Sequence, residues 1–517
     1  MSTFQGLEMA KKALSAQQGA LYTTGHNISN VNTPGYSRQR VNFETTTPFP
    51  VPSRVQPQIA GQMGTGVEIG TVQRIRDQFL DMQFRAENSR LGFWESKQEA
   101  LSRMEDLLNE PSENGLSKTM DRFWQSLQDL ADHPENTGAR SVVAQRGLAL
   151  AETFNHLSKS LQSIQADLKE QIDVSVEDIN SLLRQINNVN EQIQKIEPHG
   201  MLANDLYDER DRLIDQLSEH MNIKVDYTPS SESALDIAEG LVSIEILDSR
   251  GNSIGENEDK VFLLDATNPE LFSDEVLEVN YNEDTDLLSN IAIGGITVDL
   301  DKIEFTGSFS ALIDSFGYMD GDAEKGDYPE ILAELDNMAQ ALADAFNEVH
   351  KDGAGLDTDA DGNPIKSEID FFVHKEGSDG ITAETITINP DILKEPSLIA
   401  AGELEKGSRN GDNALKLADV FDEALEDLDD TSIRKFYTGL IGELGVKGQE
   451  AQKMKENTEI LQAQVDHSRM SVSAVSLDEE ISNLIKFQHA YNAAARNMTA
   501  IDELIDRIIN QMGLVGR

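Results

Sequence analysis

Asp357, Asp359 and Asp361 alternate with single residues, Gly362 follows, and Glu368 closes the pattern. This is the spacing of a twelve-residue calcium loop: three close carboxylates, a Gly for the bend, and a Glu to complete the shell. An incoming helix is predicted over 330–350, where Leu335, Met338, Leu342, Phe346 and Val349 keep helical period. Against a bound ion, Pro364 sits where such loops pair as a short strand, and 369–373 reads as strand rather than exit helix. The segment is rich in acids throughout, so the expected reading is a solvated turn. Calcium is the one cofactor the sequence offers.

The other chemistry is thinner. Asp205, Asp208, Glu209, Asp211 and Asp215 cluster on a predicted helix, interleaved with Arg210 and Arg212. That pattern predicts a salt-bridged, exposed face rather than a metal site. The nine His residues show no His-Glu-x-x-His pair; His133, His199 and His220 are expected in solvent or in turns. Neither a phosphate loop nor a Gly-x-Ser-x-Gly elbow occurs, and no Cys is present for disulfides, thiolate metal sites or thiol catalysis. No catalytic residues are assigned, and the chain is read as a non-enzyme. Trp94 and Trp124 fall in helical segments and are expected in the core.

Charge separates the chain into three parts. Residues 1–200 carry 24 acids and 19 bases, 201–435 carry 57 and 16, and 436–517 carry 11 and 8. A total of −49 argues against nucleic-acid binding, and no run of apolar residues is long enough to span a membrane. The near-neutral ends are fit to pack against copies of themselves, whereas the acidic middle repels its neighbours and stays solvated.

The elements follow from periodicity. Leu7, Leu14, Leu21 and Ile28 recur every seven residues, with Ala10, Gln17, Thr24 and Val31 in companion slots, until Thr33-Pro34-Gly35 ends the helix. Leu477, Leu484, Tyr491, Met498, Ile505 and Met512 repeat the spacing at the other end, with Ile481, Gln488, Ala495, Asp502 and Ile509 as the expected companions. Ser476 and Glu479 form a predicted capping box. Between these rods, helical stripes run through 161–193 and 206–221, separated by Pro198-His199-Gly200. Val242, Ile244 and Ile246 alternate with Ser and Glu as in a strand, and 291–298 reads as a hairpin turning at Gly294-Gly295. The expected architecture is α+β and multidomain. Residues 1–43 with 472–517 form a terminal coiled-coil base and 44–76, rich in Pro, an extended linker. Residues 77–222, 309–351 and 406–471 form a helical bundle, with β-rich inserts at 223–308 and 352–405. Both rods are long and thinly apolar, so their partners must be each other, neighbouring subunits, or both.

Residues 27–39, Asn-Ile-Ser-Asn-Val-Asn-Thr-Pro-Gly-Tyr-Ser-Arg-Gln, closely resemble the N-terminal signature of the bacterial flagellar axial proteins of rod, hook and junction. The Tyr-Ser-Arg-Gln ending is similar to that of hook–filament junction members, whereas rod and hook members usually end in Gly-Phe-Lys. Further matches are Gly64-Thr65-Gly66-Val67, Arg74, Asp77, Phe79, residues 203–211 (Ala-Asn-Asp-Leu-Tyr-Asp-Glu-Arg-Asp), 346–350 and 476–480 (Ser-Leu-Asp-Glu-Glu), with Tyr491 and Arg496. Ala474 departs from the family's usual Gly.

The resemblance implies a structural protein of the junction layer between hook and filament, located outside the cell. It implies export through the flagellar type III apparatus without a cleaved signal peptide, and a cytoplasmic chaperone that holds the C-terminal heptads beforehand. It further implies polymerisation with itself and contacts to the hook protein and the second junction protein. Asn30 and Asn32 are then expected to fix the turn below the first rod, with Tyr36 anchored against a neighbour. The rods are expected to order as they zip into neighbouring subunits. Two alternatives carry different expectations: a hook or distal-rod protein, and an extracellular calcium-dependent binding protein. A secreted hydrolase has no carboxylate spacing in its favour.

Overall fold

The computed structural model describes residues 3–50, 61–108, 115–254, 260–268, 273, 276–298, 306–358, 364–378, 380–406 and 409–511. The first helix, α1 (Thr3–Ser29), leads into a two-stranded antiparallel hairpin of β1 (Gln39–Thr45) and β2 (Val67–Arg74). The hairpin lies on α1: a Cβ on Gly19 would come within 2.4 Å of Ile69 Cδ1, so any larger residue there would make the Ile69 side chain shift. The stretch 44–76, expected as an extended linker, is extended but partly paired. Its second half is β2, held by its register with residues 39–45.

The helical body begins with α2 (Gln78–Leu108), α3 (Leu116–Asp132) and α4 (Thr137–Ile196). At 60 residues α4 is about 90 Å long. Asn136 caps it, its Oδ1 accepting from the amides of Gly138 and Ala139. Its apolar stripe is buried at Leu161, Leu168, Ile172, Ile179, Leu183, Ile186 and Ile193. A single 3-10 turn (Glu197–His199) and left-handed Gly200 (φ +72°) then reverse the chain into α5 (Asn204–His220), which packs back on α4 through Leu213, Ile214 and Leu217.

Two sheets follow. The first has the order β3 (Ile223–Thr228), β4 (Leu241–Ile246), β5 (Phe262–Leu264), all antiparallel. Every residue of β4 is buried, Ser243 and Glu245 included. Glu245 is tied to Lys260 at 3.1 Å and Lys224 at 3.7 Å. The second sheet contains β6 (Leu277–Tyr281), β7 (Leu288–Ile293) and β8 (Ile296–Val298), with both turn glycines at positive φ.

After α6 (Ser308–Phe316), β9 (Tyr318–Asp320) and β10 (Ala323–Lys325) complete that sheet, β9 lying parallel to β7. The insert thus does not close at 308, because part of its sheet comes from the segment expected to be helical.

The long helix α7 (Asp327–Asp352) passes into β11 (Gly353–Thr358), which pairs antiparallel with β12 (Pro364–Lys366) and with β15 (Gly402–Glu403). Between them lie a two-stranded ladder of β13 (Phe372–His374) with β14 (Ile386–Ile388) and the short α8 (Pro390–Lys394). This second insert is not a separate lobe. Phe371 and Phe372 enter an aromatic cluster with Phe123, Phe346 and Phe421, all fully buried. Trp94 and Trp124 pack at the margin of the same core. Finally α9 (Asp412–Asp419) leads to α10 (Ile433–Ser473), which returns along α2, and to α11 (Leu477–Asp506) beside α1. One apolar core runs continuously from Ala100 to Ala451. No residue of α1 or α11 belongs to it.

Candidate assembly interface and its anchorage

The pair α1/α11 is antiparallel. Ile501 Cδ1 lies 3.2 Å from where a Cβ on Gly6 would stand, while Asn27 near the far end of α1 donates to Glu480 at the start of α11. Leu7, Leu14, Leu21 and Ile28 are half-buried, as are Leu484, Tyr491, Met498 and Ile505. Met512 lies outside the described residues.

The companion row on α11 differs from expectation. It is Glu480, Phe487, Ala494 and Ile501, three residues on from each heptad position, whereas Ile481, Gln488, Asp502 and Ile509 face solvent. A seven-residue repeat allows either offset, and the row with Phe487 and Ile501 is the more apolar. Phe487 meets Phe43 of the hairpin edge-on, ring centroids 5.9 Å apart. Large apolar side chains remain uncovered on both helices: Phe4 at 63%, Tyr22 at 78%, Ile481 at 49% and Leu504 at 53% exposure, with Leu477 and Ile485 just below. A lone subunit leaves this pair half-packed.

The signature turn joins the pair to the hairpin through a residue whose role the sequence did not single out. Asn27 is 1% exposed. Its Oδ1 accepts from Gln39 N at 3.0 Å and Tyr36 Oη at 2.8 Å, and its Nδ2 donates to Gln39 O at 2.8 Å and Glu480 Oε2 at 3.1 Å. Within its own chain Tyr36 packs against His26, centroids 5.6 Å apart, and stays half-exposed. Burial pushes its hydroxyl well above the usual phenol range, and Asp205, Asp208 and Glu480 add to the effect. Asn30 holds the turn, donating to His26 O and accepting from Thr33 Oγ1, both at 3.1 Å. Asn32 is exposed.

Nor does the expected capping box form. Ser476 makes no side-chain cap; Glu479 and Glu480 turn to Arg38, at 2.5 and 2.7 Å. An Asn27→Ala variant leaves two backbone groups of Gln39 without their partner and should lose about 2 kcal/mol in chemical denaturation. A loss under about 0.5 kcal/mol would show that water replaces the amide at no cost.

Beneath the turn lies the acidic cluster of α5, and it is buried rather than an exposed face. Arg74 Nη1 donates to Asp208 at 2.8 Å, and its Nη2 to Asp211 and Glu239, both at 2.5 Å. Arg76 pairs with Asp81 at 2.7 Å, and Arg85 with Asp215 at 2.8 Å and Asp211 at 3.1 Å. Arg210 reaches Glu239 at 3.1 Å, and Arg469 reaches Asp215 at 2.5 Å while stacking 3.8 Å over Phe84. Burial pushes the Asp211 carboxyl up, but Arg76, Arg74, Arg85 and Arg210 together hold it well below the ordinary carboxylate range. Asp208 has mainly Arg74 to offset its burial and is raised. Of the rest of the cluster, Asp205 is exposed and bonds Gln39, and Glu209 pairs with Arg212 on the surface.

The remaining predicted positions are dispersed. Asp359 and Asp361 lie outside the described residues; Asp357 is in β11, and Glu368 is exposed beyond β12. Strand therefore stands on both sides of that loop, with β13 where a calcium loop has its exit helix. Among the described residues no group of three acids or histidines is placed to hold a metal, and no helix is long and apolar enough to cross a membrane. His133 and His199 are exposed, but His220 is partly buried between Ser175 and Ser308, and burial lowers it.

A half-packed terminal pair on a separate helical body is the arrangement that comparison with known proteins places. Residues 101–365 match the helical domain of the flagellar hook-associated protein FlgK; 7–36 match the flagella basal body rod protein family, and 468–512 the C-terminal family of the rod proteins FlgEFG. The chain is 46% identical over 521 residues to flagellar hook-associated protein 1 of Bacillus subtilis strain 168, covering all of both. It belongs to the hook-associated protein 1 family. The protein of that name from Escherichia coli K12 is 25% identical, with 97% of this chain and 98% of the relative aligned. In fold, the chain is similar to the flagellar hook junction protein FlgK of Burkholderia pseudomallei, at a TM-score of 0.57 and 13% identity over 76% of this chain and 100% of that one. The two rod-family matches fall on α1 with its turn and on α11, the elements outside the continuous core.

Proposed function

We propose that this protein is a structural element of the bacterial flagellum that forms the layer joining hook to filament. The observation that carries this reading is the terminal pair: two helices matching rod-type families, antiparallel, excluded from the core, and bearing uncovered Phe4, Tyr22, Ile481 and Leu504. Burying the exposed part of such side chains against identical neighbours is worth about 1–2 kcal/mol each, and over several of them this drives polymerisation at a growing tip where subunits are concentrated. The acidic, β-rich segments then project outward, where like charge keeps adjacent subunits from packing closely.

The hook protein below and the second junction protein above are the neighbours this position requires. Before assembly the same apolar stripe needs a cover, the task of a cytoplasmic chaperone on α11. The absence of Cys suits passage through the flagellar type III apparatus as an unfolded chain. No catalytic step enters this reading.

The test is electron microscopy of a flagellated bacterium lacking its own copy of the protein. Hooks without filaments are expected, with flagellin lost to the medium. Expression of this chain should restore filaments, whereas the chain ending at residue 471 should not. Filaments of normal number without the protein would overturn the reading.

A further inference from the structure

The buried ionic cluster has a charge balance that depends on the chain ends. Five carboxylates, Asp81, Asp208, Asp211, Asp215 and Glu239, meet five guanidinium groups, Arg74, Arg76, Arg85, Arg210 and Arg469, and no side chain among them exceeds 20% exposure. Four of the carboxylates and two of the arginines belong to the helical body: Asp81 and Arg85 on α2, and Asp208, Asp211, Asp215 and Arg210 on α5. Glu239 sits just before β4. The other three arginines arrive on segments that connect the body to the terminal pair. Arg74 ends β2, Arg76 follows it, and Arg469 lies in the last turns of α10. The same junction is tied by Ser37 N to Asp208 Oδ2 at 3.0 Å, Asn204 Nδ2 to Val72 O at 2.8 Å, and Arg38 N to Ser473 O at 2.9 Å.

We propose that this cluster is a docking sensor: the α2–α5 corner of the helical body closes only when the terminal segments deliver Arg74, Arg76 and Arg469. With those three withdrawn, five carboxylates face two cations, a surplus of three negative charges among side chains that are mostly buried. Buried carboxylates in that state either hydrate or take up protons, and at neutral pH hydration means opening the corner. The aromatic core around Phe123, Phe346 and Phe371 contains no group supplied by the ends, so it stays shut. Ordering of the terminal base and closure of the corner are consequently one cooperative event. A subunit whose ends are unpaired carries a loosened α2–α5 corner, and a docked one carries a rigid arm.

The inference stands apart from the junction reading, because its test uses a lone, dilute, full-length subunit with no filament present. Arg74→Gln, Arg76→Gln and Arg469→Gln are combined in one chain and amide hydrogen exchange is followed by mass spectrometry. Protection in 78–89 and 204–215 is expected to fall at least about a hundredfold, with α3 and α9 unchanged. Adding Asp208→Asn, Asp211→Asn and Asp215→Asn to that chain restores the charge balance and should return most of the protection. Three results overturn the proposal: full protection in the triple Gln variant, no recovery on neutralising the acids, or equal loss in α3 and α9. Should the triple variant fail to fold, Arg469→Gln alone, compared with Arg469→Gln/Asp215→Asn, carries the same test by thermal unfolding. The single variant lowers Tm by several degrees and the pair recovers at least half; a pair as unstable as the single variant refutes the charge argument.

Discussion

Replacing Asp211 by Ala is expected to destabilise the helical body by about 3–5 kcal/mol, the range for stripping one partner from a buried ion cluster. The side chain is 1% exposed and takes Arg74 at 2.5 Å, Arg85 at 3.1 Å and Arg76 at 3.5 Å, with Tyr227 Oη at 3.5 Å. Two opposing effects act on it. Burial penalises the carboxylate, while four surrounding guanidinium groups favour it, and the lowered carboxyl shows that the second effect wins. Alanine keeps the repulsion among the arginines and removes what neutralises it.

The sign with pH follows from that lowering. The contribution of Asp211 is fully present above its unfolded value, about 3.9, and fades as pH falls toward the lower folded value. Urea titration of parent and Asp211→Ala at pH 7 should show the full difference, and the gap should narrow below pH 4. Asp211→Asn, which keeps the shape and accepts through its carbonyl oxygen, should lose roughly half as much. A loss near or below 1 kcal/mol for Asp211→Ala would place the cluster among solvated surface pairs.

How much of this was legible in the residues depends on range. The heptads of Leu7 to Ile28 and Leu484 to Ile505 are local patterns, and the helices stand where those patterns put them. The α4 stripe and the Pro198-His199-Gly200 reversal are local too. What failed was pairing between distant segments. Nothing near 318–325 announces that β9 lies parallel to β7, since a parallel partner leaves no turn signal. Val242, Ile244 and Ile246 alternate with polar residues, yet β4 is covered on both faces because Lys224 and Lys260 satisfy Glu245.

The α5 cluster shows the same limit. Interleaved Asp and Arg on one helix normally mark a wet face, and only partners 126 or more residues away in sequence (Arg74, Arg85 and Arg469) convert it into a buried one. Arg74 and the 203–211 block were visible as family features without a physical role; their ion pairing supplies one. Asn27 opens the signature, and its four hydrogen bonds span α1, the turn, β1 and α11.

Acidification from pH 7 to pH 4 is expected to cost the helical body about 3 kcal/mol through His350 alone, because the imidazole is held neutral in the fold. The ring is fully buried at the end of α7, and Ala400 N donates to its Nε2 at 3.1 Å. An accepting Nε2 places the proton on Nδ1, which donates to Ile369 O at 3.0 Å. A second proton would set Nε2–H against the Ala400 amide. Burial is the main cause that lowers this histidine to about 4; Arg140 and Lys351 add to it, while the Ile369 carbonyl and Asp370 oppose them.

The unfolded chain, with a value near 6.5, takes up the proton first, so the stability supplied by neutral His350 is present above about 6.5. It is lost progressively toward pH 4, and about 2.5 pH units at 1.36 kcal/mol each give the stated figure. Burial lowers His220 as well, with the same sign, whereas burial raises Asp208 and Asp327 and so works against the trend over part of the window. The measurement is therefore a difference. The pH dependence of unfolding free energy in the parent is compared with that of His350→Phe, which fills the site beside Phe371 without titrating. The variant is less stable at pH 7, having left the Ala400 amide unsatisfied, but its slope between pH 6.5 and 4 should be shallower by the full 3 kcal/mol or so. Parallel curves would mean that the strap around residues 396–401 opens to water before the ring accepts its proton.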